Sequence, residues 1–198
     1  MPKKKINPNR MPISKREIDV NQIVRASSDK MMLRAWVLIL GAFADFYTST
    51  TDAMLQIWER ANSNAVKINT YALAAAKLKK LEQKTGLQFP FGQLSSDGIK
   101  TRGDLDRFVR RVERNALHSA FAVIVDPIIE DEMLQQDELA VLLEKACELD
   151  REIEDGMITL EDILGVLEEE FSIVLEHSQG EVKFFKRSLQ VAGCPTNT

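Results

Sequence analysis

The sequence contains few of the residues that build most catalytic and metal sites. It has two histidines, His118 and His177, and two cysteines, Cys147 and Cys194, with no C-x-x-C spacing. Glycine-rich phosphate loops, the G-x-S-x-G nucleophile turn and the H-E-x-x-H zinc motif do not occur. We therefore expect no catalysis, no cofactor and no metal, and the scarcity of cysteine favours a reducing, cytoplasmic compartment.

Long apolar runs are also missing. The longest, residues 35–44, lies between Arg34 and Asp45 and has about half the length that a membrane-spanning helix needs. No apolar segment directly follows the basic N-terminus, so we expect no secretory signal and no membrane partner. The 44% hydrophobic fraction is too high for a wholly disordered chain and is typical of a globular protein.

The formal net charge of −4 hides an uneven distribution of charge along the chain. Residues 1–125 contain 21 lysines and arginines against 11 acidic residues, whereas residues 126–198 contain 5 against 19. This asymmetry predicts one positive pole and one strongly negative pole on the folded protein.

An internal repeat is predicted from an ungapped shift of 85 residues, which aligns residues 16–68 with residues 101–153. The alignment gives nine identities in 53 positions, where average composition would give about three. Most apolar positions match as well. We interpret the chain as an all-α fold of two tandem, duplicated three-helix units. The units either pack together or pack on a second chain as a homodimer.

Each unit is predicted to contain three helices. Their expected N-terminal residues are Asp19, Asp52 and Thr70 in the first unit and Asp104, Asp137 and Thr159 in the second. Thr159 and Asp162 have the spacing of a capping box, and Ser27-Ser28-Asp29 is a candidate break in the first helix. The boundaries are a disordered basic arm over 1–15, unit one over 16–85, a linker over 86–100, acidic unit two over 101–177 and a tail over 178–198.

Two basic clusters are candidates for contact with nucleic acid or with an acidic partner. The arm carries Lys3, Lys4, Lys5 and Arg10, and unit two carries Arg107, Arg110, Arg111 and Arg114 at helical spacing. Guanidinium groups bind phosphate or carboxylate through paired hydrogen bonds. A solubilising tail and a solvated helix face are the alternative interpretations. Lys77, Lys80 and Lys84 form a similar, weaker stripe.

Two acidic clusters in unit two are candidates for a partner-binding surface. They are Glu148, Asp150, Glu152, Glu154 and Asp155, and Glu168, Glu169 and Glu170. Such a surface would occupy a basic nucleic-acid channel by presenting carboxylates where phosphates otherwise lie. The alternative is a plain acidic surface. The residue order around Gly156 does not match a calcium-binding loop.

The first twelve residues, M-P-K-K-K-I-N-P-N-R-M-P, resemble the start of a family of small accessory proteins carried by prophages of Firmicutes. Unit two is similar to the body of that family in its apolar first helix, its acidic loop and its L-E-E-E-aromatic ending at residues 167–171. Here an additional, diverged unit separates the arm from that body. Some small prophage proteins with this opening resemble inhibitors of the guide-RNA nuclease of type II CRISPR systems.

The resemblance and the charge distribution together lead to two expectations. The first is a non-enzymatic, phage-encoded anti-CRISPR inhibitor that binds the nuclease or its guide complex in the cytoplasm of the bacterial host. The second is a phage DNA-binding or packaging accessory protein, in which the arm and the four arginines contact duplex phosphates. No residue roles are carried over from the family.

Overall fold

The computed structural model describes residues 19–46, 51–65, 71–130, 133–178 and 181–186. These ranges form α1 (Val20–Phe46), α2 (Thr51–Ala65), α3 (Tyr71–Thr85), α4 (Arg102–Glu130), α5 (Gln136–Glu154), α6 (Leu160–Phe171), β1 (Ile173–Ser178) and β2 (Glu181–Lys186). The predicted mostly helical fold is confirmed. The predicted basic arm over 1–15 lies outside the described residues.

The helix starts follow short-range capping chemistry. Asp19 caps α1, since its carboxylate accepts a hydrogen bond from the Gln22 backbone N–H at 3.1 Å. Thr159 and Asp162 form the predicted capping box of α6, with reciprocal hydrogen bonds of 3.2 and 2.7 Å. These two predictions are confirmed.

The predicted cap at Asp104 is wrong, because α4 begins two residues earlier, at Arg102. Thr101 accepts a hydrogen bond from the Asp104 backbone N–H, and the Thr101 backbone N–H donates to the Asp104 carboxylate at 2.9 Å. Asp104 is therefore the fourth residue of a second Thr-x-x-Asp capping box, a spacing that the sequence displays as plainly here as at Thr159.

The predicted break at residues 27–29 is also wrong, because α1 runs through it without interruption. Ser27 is buried there, with 5% of its surface exposed. The weak helix preference of consecutive serines is about 0.5 kcal/mol per residue, which packing of the surrounding helix against the core easily outweighs.

The segment assigned to a C-terminal tail contains one strand of a hairpin, so the all-α description is incomplete. β1 and β2 pair antiparallel, from Ile173 opposite Lys186 to Ser178 opposite Glu181. Ser172 ends α6 in the left-handed conformation, with φ 56°, and turns the chain from the helix into β1. Ile173 and Val182 are buried and attach the hairpin to the helical core.

The predicted linker over 86–100 is non-helical, as expected, but its first part is packed on the protein. We call residues 87–92 the strap. Phe89 is buried and its backbone N–H donates to Glu82 at 2.9 Å. The Asn115 side chain on α4 donates to the Gly92 carbonyl at 2.7 Å and accepts from the Gly92 N–H at 3.2 Å.

The centre of the fold is the contact between α1 and α4. Residues 35–43 of α1 and residues 120–128 of α4 are buried at every position. A helix that is buried on all sides needs neighbouring elements on all sides. Besides contacting each other, α1 packs against α5 and α6, and α4 packs against α2 and α3. Each first helix is therefore enclosed mainly by the second and third helices of the other unit.

Because each first helix packs against helices of the other unit, residues of both units lie in one hydrophobic core. Contacts inside a unit are also present, as between the rings of Trp36 and Trp58, whose centroids are 4.5 Å apart. Both tryptophans are buried. Because the main helix contacts join one unit to the other, neither unit encloses a complete core by itself.

The packing relates equivalent positions of the predicted repeat. The two fully buried runs, 35–43 and 120–128, are separated by the same 85 residues. Gly41 of α1 lies against Ile163 of α6, and Asp126 of α4 lies against Lys77 of α3. Asp126 is 85 residues after Gly41, and Ile163 is 86 after Lys77. These correspondences support the duplication, which remains a prediction.

Gly41 provides the close approach of α1 and α6, since a Cβ built there would lie 2.7 Å from Cγ2 of Ile163. We expect Gly41→Ala to lower the free energy of unfolding by about 1–2 kcal/mol, because overpacking outweighs the gain in helix preference. Gly165→Ala is the matched control in α6, where a Cβ meets nothing within 4 Å. It should raise stability by about 0.5–1 kcal/mol. Urea unfolding measures both, and a stabilising Gly41→Ala would contradict this packing.

Asp126 is the buried charge of the core, with 3% of its surface exposed, and it pairs with Lys77 and, at 3.5 Å, with Lys80. We expect Lys77→Met to cost about 3 kcal/mol in urea unfolding, because it leaves a buried carboxylate poorly compensated. Lys79→Met is the control, since Lys79 is exposed on the same helix. Equal effects of the two substitutions would show that the pair does not contribute.

Candidate functional site

Ion pairs between the two predicted units bring parts of the basic and acidic stretches of the sequence together. Ion pairs join the two units at Lys30–Glu113 (2.9 Å), Arg34–Asp150 (2.6 Å), Lys145–Asp45 (3.0 Å) and Lys77–Asp126. Two of these pairs, Arg34–Asp150 and Lys77–Asp126, join a cation of the basic stretch to a carboxylate of the acidic stretch. These contacts weaken the prediction of opposite poles, which stays a prediction.

The predicted basic stripe on α3 is affected in the same way. Lys77 and Lys80 both pair with Asp126, and Lys80 also lies 3.5 Å from Glu130. Lys84 is exposed at the end of the helix. The stripe is thus largely neutralised by α4 and offers no continuous surface to an anionic partner.

The four arginines of unit two lie together on the exposed side of α4, which we call the arginine face: Arg107, Arg110, Arg111 and Arg114. Arg107 pairs with Asp104 at 2.6 Å. The other three have no ion-pair partner among the described residues. The four arginines extend over about two helical turns, because spacings of three and four residues return to the same side of a helix.

The acidic candidates are divided between separate environments. Glu148 pairs with Lys145 and Asp150 with Arg34. Glu154 and Asp155 are exposed at the end of α5, and Glu152 is partly buried. Glu168, Glu169 and Glu170 are exposed on α6. Two members of the first cluster are thus neutralised locally, which weakens the prediction of one continuous acidic surface.

A cleft of about 510 Å³ lies between α1, α4 and α5. Its cationic lining consists of Lys30 and Arg34 from α1 and Arg110 and Arg114 from α4. Glu113, Asp150 and Glu154 provide the carboxylates. The sequence alone did not predict this cleft, because its walls come from positions up to about 120 residues apart.

His118 lines the cleft and is half-buried. Its Nδ1 is 3.1 Å from the Pro90 carbonyl of the strap, and its ring meets Phe89 edge to face at 5.4 Å. Burial lowers the pKa of His118 below its ordinary value, and Arg114 acts in the same direction. At neutral pH the imidazole is therefore uncharged, with Nδ1 donating to the strap.

A second cleft, of about 630 Å³, lies between the strap and α5. It is lined by Phe89, His118, Lys145, Cys147 and Arg151 among others. Burial raises the pKa of the Cys147 thiol, so the protonated form dominates at neutral pH, in contrast to the thiolate that a nucleophile or a metal ligand requires.

Neither cleft contains a recognisable catalytic arrangement, and no group of three or more His, Cys, Asp or Glu residues in the described ranges could hold a metal ion. Among the same residues, no helix combines the length and apolar character needed to cross a bilayer. Comparison with protein-family models, with curated proteins and with solved structures gives no match.

The lowered pKa of His118 has a defined effect on stability. Between the ordinary value of 6.5 and the lower folded value, the unfolded chain binds more protons than the folded one, so stability falls as pH drops. We expect the urea midpoint of the wild type to decrease as the pH is lowered from about 7.5 to about 5.5. The urea midpoint of His118→Gln should decrease less over the same interval. Identical slopes for both proteins would remove His118 as the cause.

Proposed function

We propose that this chain is a non-enzymatic binding protein that contacts the phosphates of a nucleic acid through the arginine face of α4. The observation that supports this proposal is that Arg110, Arg111 and Arg114 are exposed and have no ion-pair partner among the described residues. Five other cations of the described residues are used in ion pairs between units, namely Lys30, Arg34, Lys77, Lys80 and Lys145. Arginine is suited to phosphate because its planar group donates two parallel hydrogen bonds and stays charged.

Within this proposal, the biological role is inhibition of a nucleic-acid-dependent defence, with the guide-RNA nuclease of type II CRISPR as the target. The resemblance of residues 1–12 to the openings of small prophage proteins supports that role. Of two modes of contact, the arginine face on the guide or target strand is preferred over an acidic mimic of nucleic acid. The reason is that Glu148 and Asp150 are already paired with cations of this chain.

A second candidate, a phage DNA-binding or packaging accessory protein, rests on the same exposed face. Lysine and arginine side chains on one side of a helix bind duplex phosphates without reading the bases. Under this alternative the protein binds plain duplex DNA, and the nuclease plays no part.

The test of the shared claim is the salt dependence of binding. We expect log affinity for an oligonucleotide to fall linearly with log salt, with a slope of roughly 0.7–0.9 per phosphate contacted. Replacing Arg110, Arg111 and Arg114 together by alanine should reduce that slope by roughly 2–3. The control replaces Lys79, Lys84 and Lys100 by alanine. These lysines are exposed elsewhere on the protein, and their replacement removes the same charge. Equal losses in both triple variants would mean that net charge, and not this face, determines binding.

The two candidates are separated by a pull-down of the purified nuclease, with and without guide RNA, together with a cleavage assay. The inhibitor proposal predicts a complex and reduced cleavage, both lost in the arginine triple variant. Without a complex and without an effect on cleavage, the inhibitor proposal is abandoned. Binding of naked duplex DNA in that case supports the accessory protein.

A further inference from the structure

The cleft between α1, α4 and α5 has the size and the lining of a site for one small polar ligand. Its volume of about 510 Å³ falls within the roughly 300–1,000 Å³ common for ligand sites. It opens beside the arginine face, of which it takes two members, Arg110 and Arg114. A polymer lying along the face thus passes the mouth of the cleft.

The charges inside the cleft leave two guanidinium groups for a ligand. Lys30 is paired with Glu113, and Arg34 is paired with Asp150. Arg110 and Arg114 are one helical turn apart and have no ion-pair partner among the described residues. Glu154 is the remaining carboxylate of the lining, so the cleft keeps one excess positive charge while His118 is neutral.

The cleft also has an apolar part. Met31 and Leu117 line it but are 4% and 5% exposed, so each contributes only a small apolar area. Beside them lies the imidazole of His118, which is held by the Pro90 carbonyl and by the ring of Phe89. A fixed, uncharged aromatic ring next to apolar side chains is the surroundings in which proteins bind unstacked bases.

We propose that the cleft binds one unstacked nucleotide of a single strand, with its phosphate on Arg110 and Arg114 and its base against Met31, Leu117 and His118. This inference rests on the proposed function and narrows it to single-stranded nucleic acid. A base in a duplex is stacked and paired, and it reaches a pocket between helices only at the cost of opening the duplex. Duplex therefore contacts the arginine face from outside and leaves the cleft empty.

The experiment measures fluorescence anisotropy of a labelled single-stranded oligonucleotide and of the duplex of the same sequence, bound to the full chain. The wild type should prefer the single strand. The double variant Arg110→Ala, Arg114→Ala removes the two cleft arginines. Its matched control, Arg102→Ala with Arg111→Ala, removes the same charge from exposed positions of the same helix outside the cleft lining. We expect the cleft variant to lose the preference for single strand and the control to weaken both probes equally.

His118→Leu tests the contact with the base separately from the contact with the phosphate, because it removes the aromatic ring and leaves both arginines in place. Base stacking on an aromatic residue corresponds to roughly 5- to 150-fold in affinity, so we expect about a tenfold loss for the single strand and no change for the duplex. Urea unfolding of each variant verifies that the fold is kept. Where His118→Leu does not fold as the wild type does, the arginine double variants decide alone.

The outcomes separate this inference from the proposed function. If the cleft variant and its control behave alike on both probes, the cleft is not used, whereas the arginine face remains a phosphate-binding surface. If the wild type binds neither probe, the proposed function itself fails. A third outcome would overturn the nucleotide inference. The wild type would show no preference for single strand over duplex, and an acidic polypeptide would displace the probe from the wild type but bind the cleft variant only weakly. The cleft would then recognise protein carboxylates.

Discussion

The packing of α1 against α4 is the constraint on which the other features of this fold depend. Residues 35–43 and 120–128 are buried at every position, and Asp126 is the one charged residue in these two runs, with Lys77 beside it. Helices this apolar require neighbours on all sides. The neighbours come mainly from the opposite unit, so the two units are parts of one domain with a shared core.

The same constraint determines where charge is left free. Since each unit surrounds the central helix of the other, the basic stretch of the sequence meets the acidic stretch, and Arg34–Asp150 and Lys77–Asp126 are the results. These contacts neutralise part of the charge asymmetry along the sequence, so the asymmetry gives only weak support to a nucleic-acid partner. The stronger support is local. The first half of α4 extends beyond the fully buried run and carries exposed arginines that α1 and α5 do not neutralise.

Features that depend on neighbouring residues were predicted better than features that depend on distant ones, although the helix starts at Asp104 and Asp137 were misplaced. Apolar periodicity predicted the helices, and the Thr159–Asp162 spacing predicted a cap with its correct partner. The start predicted at Asp104 was wrong because the cap is Thr101, three residues earlier, which forms a capping box with Asp104. The break at residues 27–29 failed because tertiary packing outweighs local propensity.

The site was predictable only in part, for the same physical reason. Helical spacing was sufficient to place four arginines on one side of α4. Nothing in local periodicity indicates that Asp150 lies 2.6 Å from Arg34, 116 residues away, or that the presumed linker holds His118 through Pro90. The cleft is a product of the chain's topology, because its lining comes from three helices that are distant in sequence.

The most direct test of the shared core is native-state hydrogen exchange followed by mass spectrometry at increasing urea concentration. Peptides covering residues 35–43 and 120–128 report the two central helices separately. A shared core predicts that both lose protection at the same urea concentration and with the same dependence on it. Loss of protection in residues 35–43 while residues 120–128 stay protected would contradict the account, because it would mean that unit two forms a core without unit one.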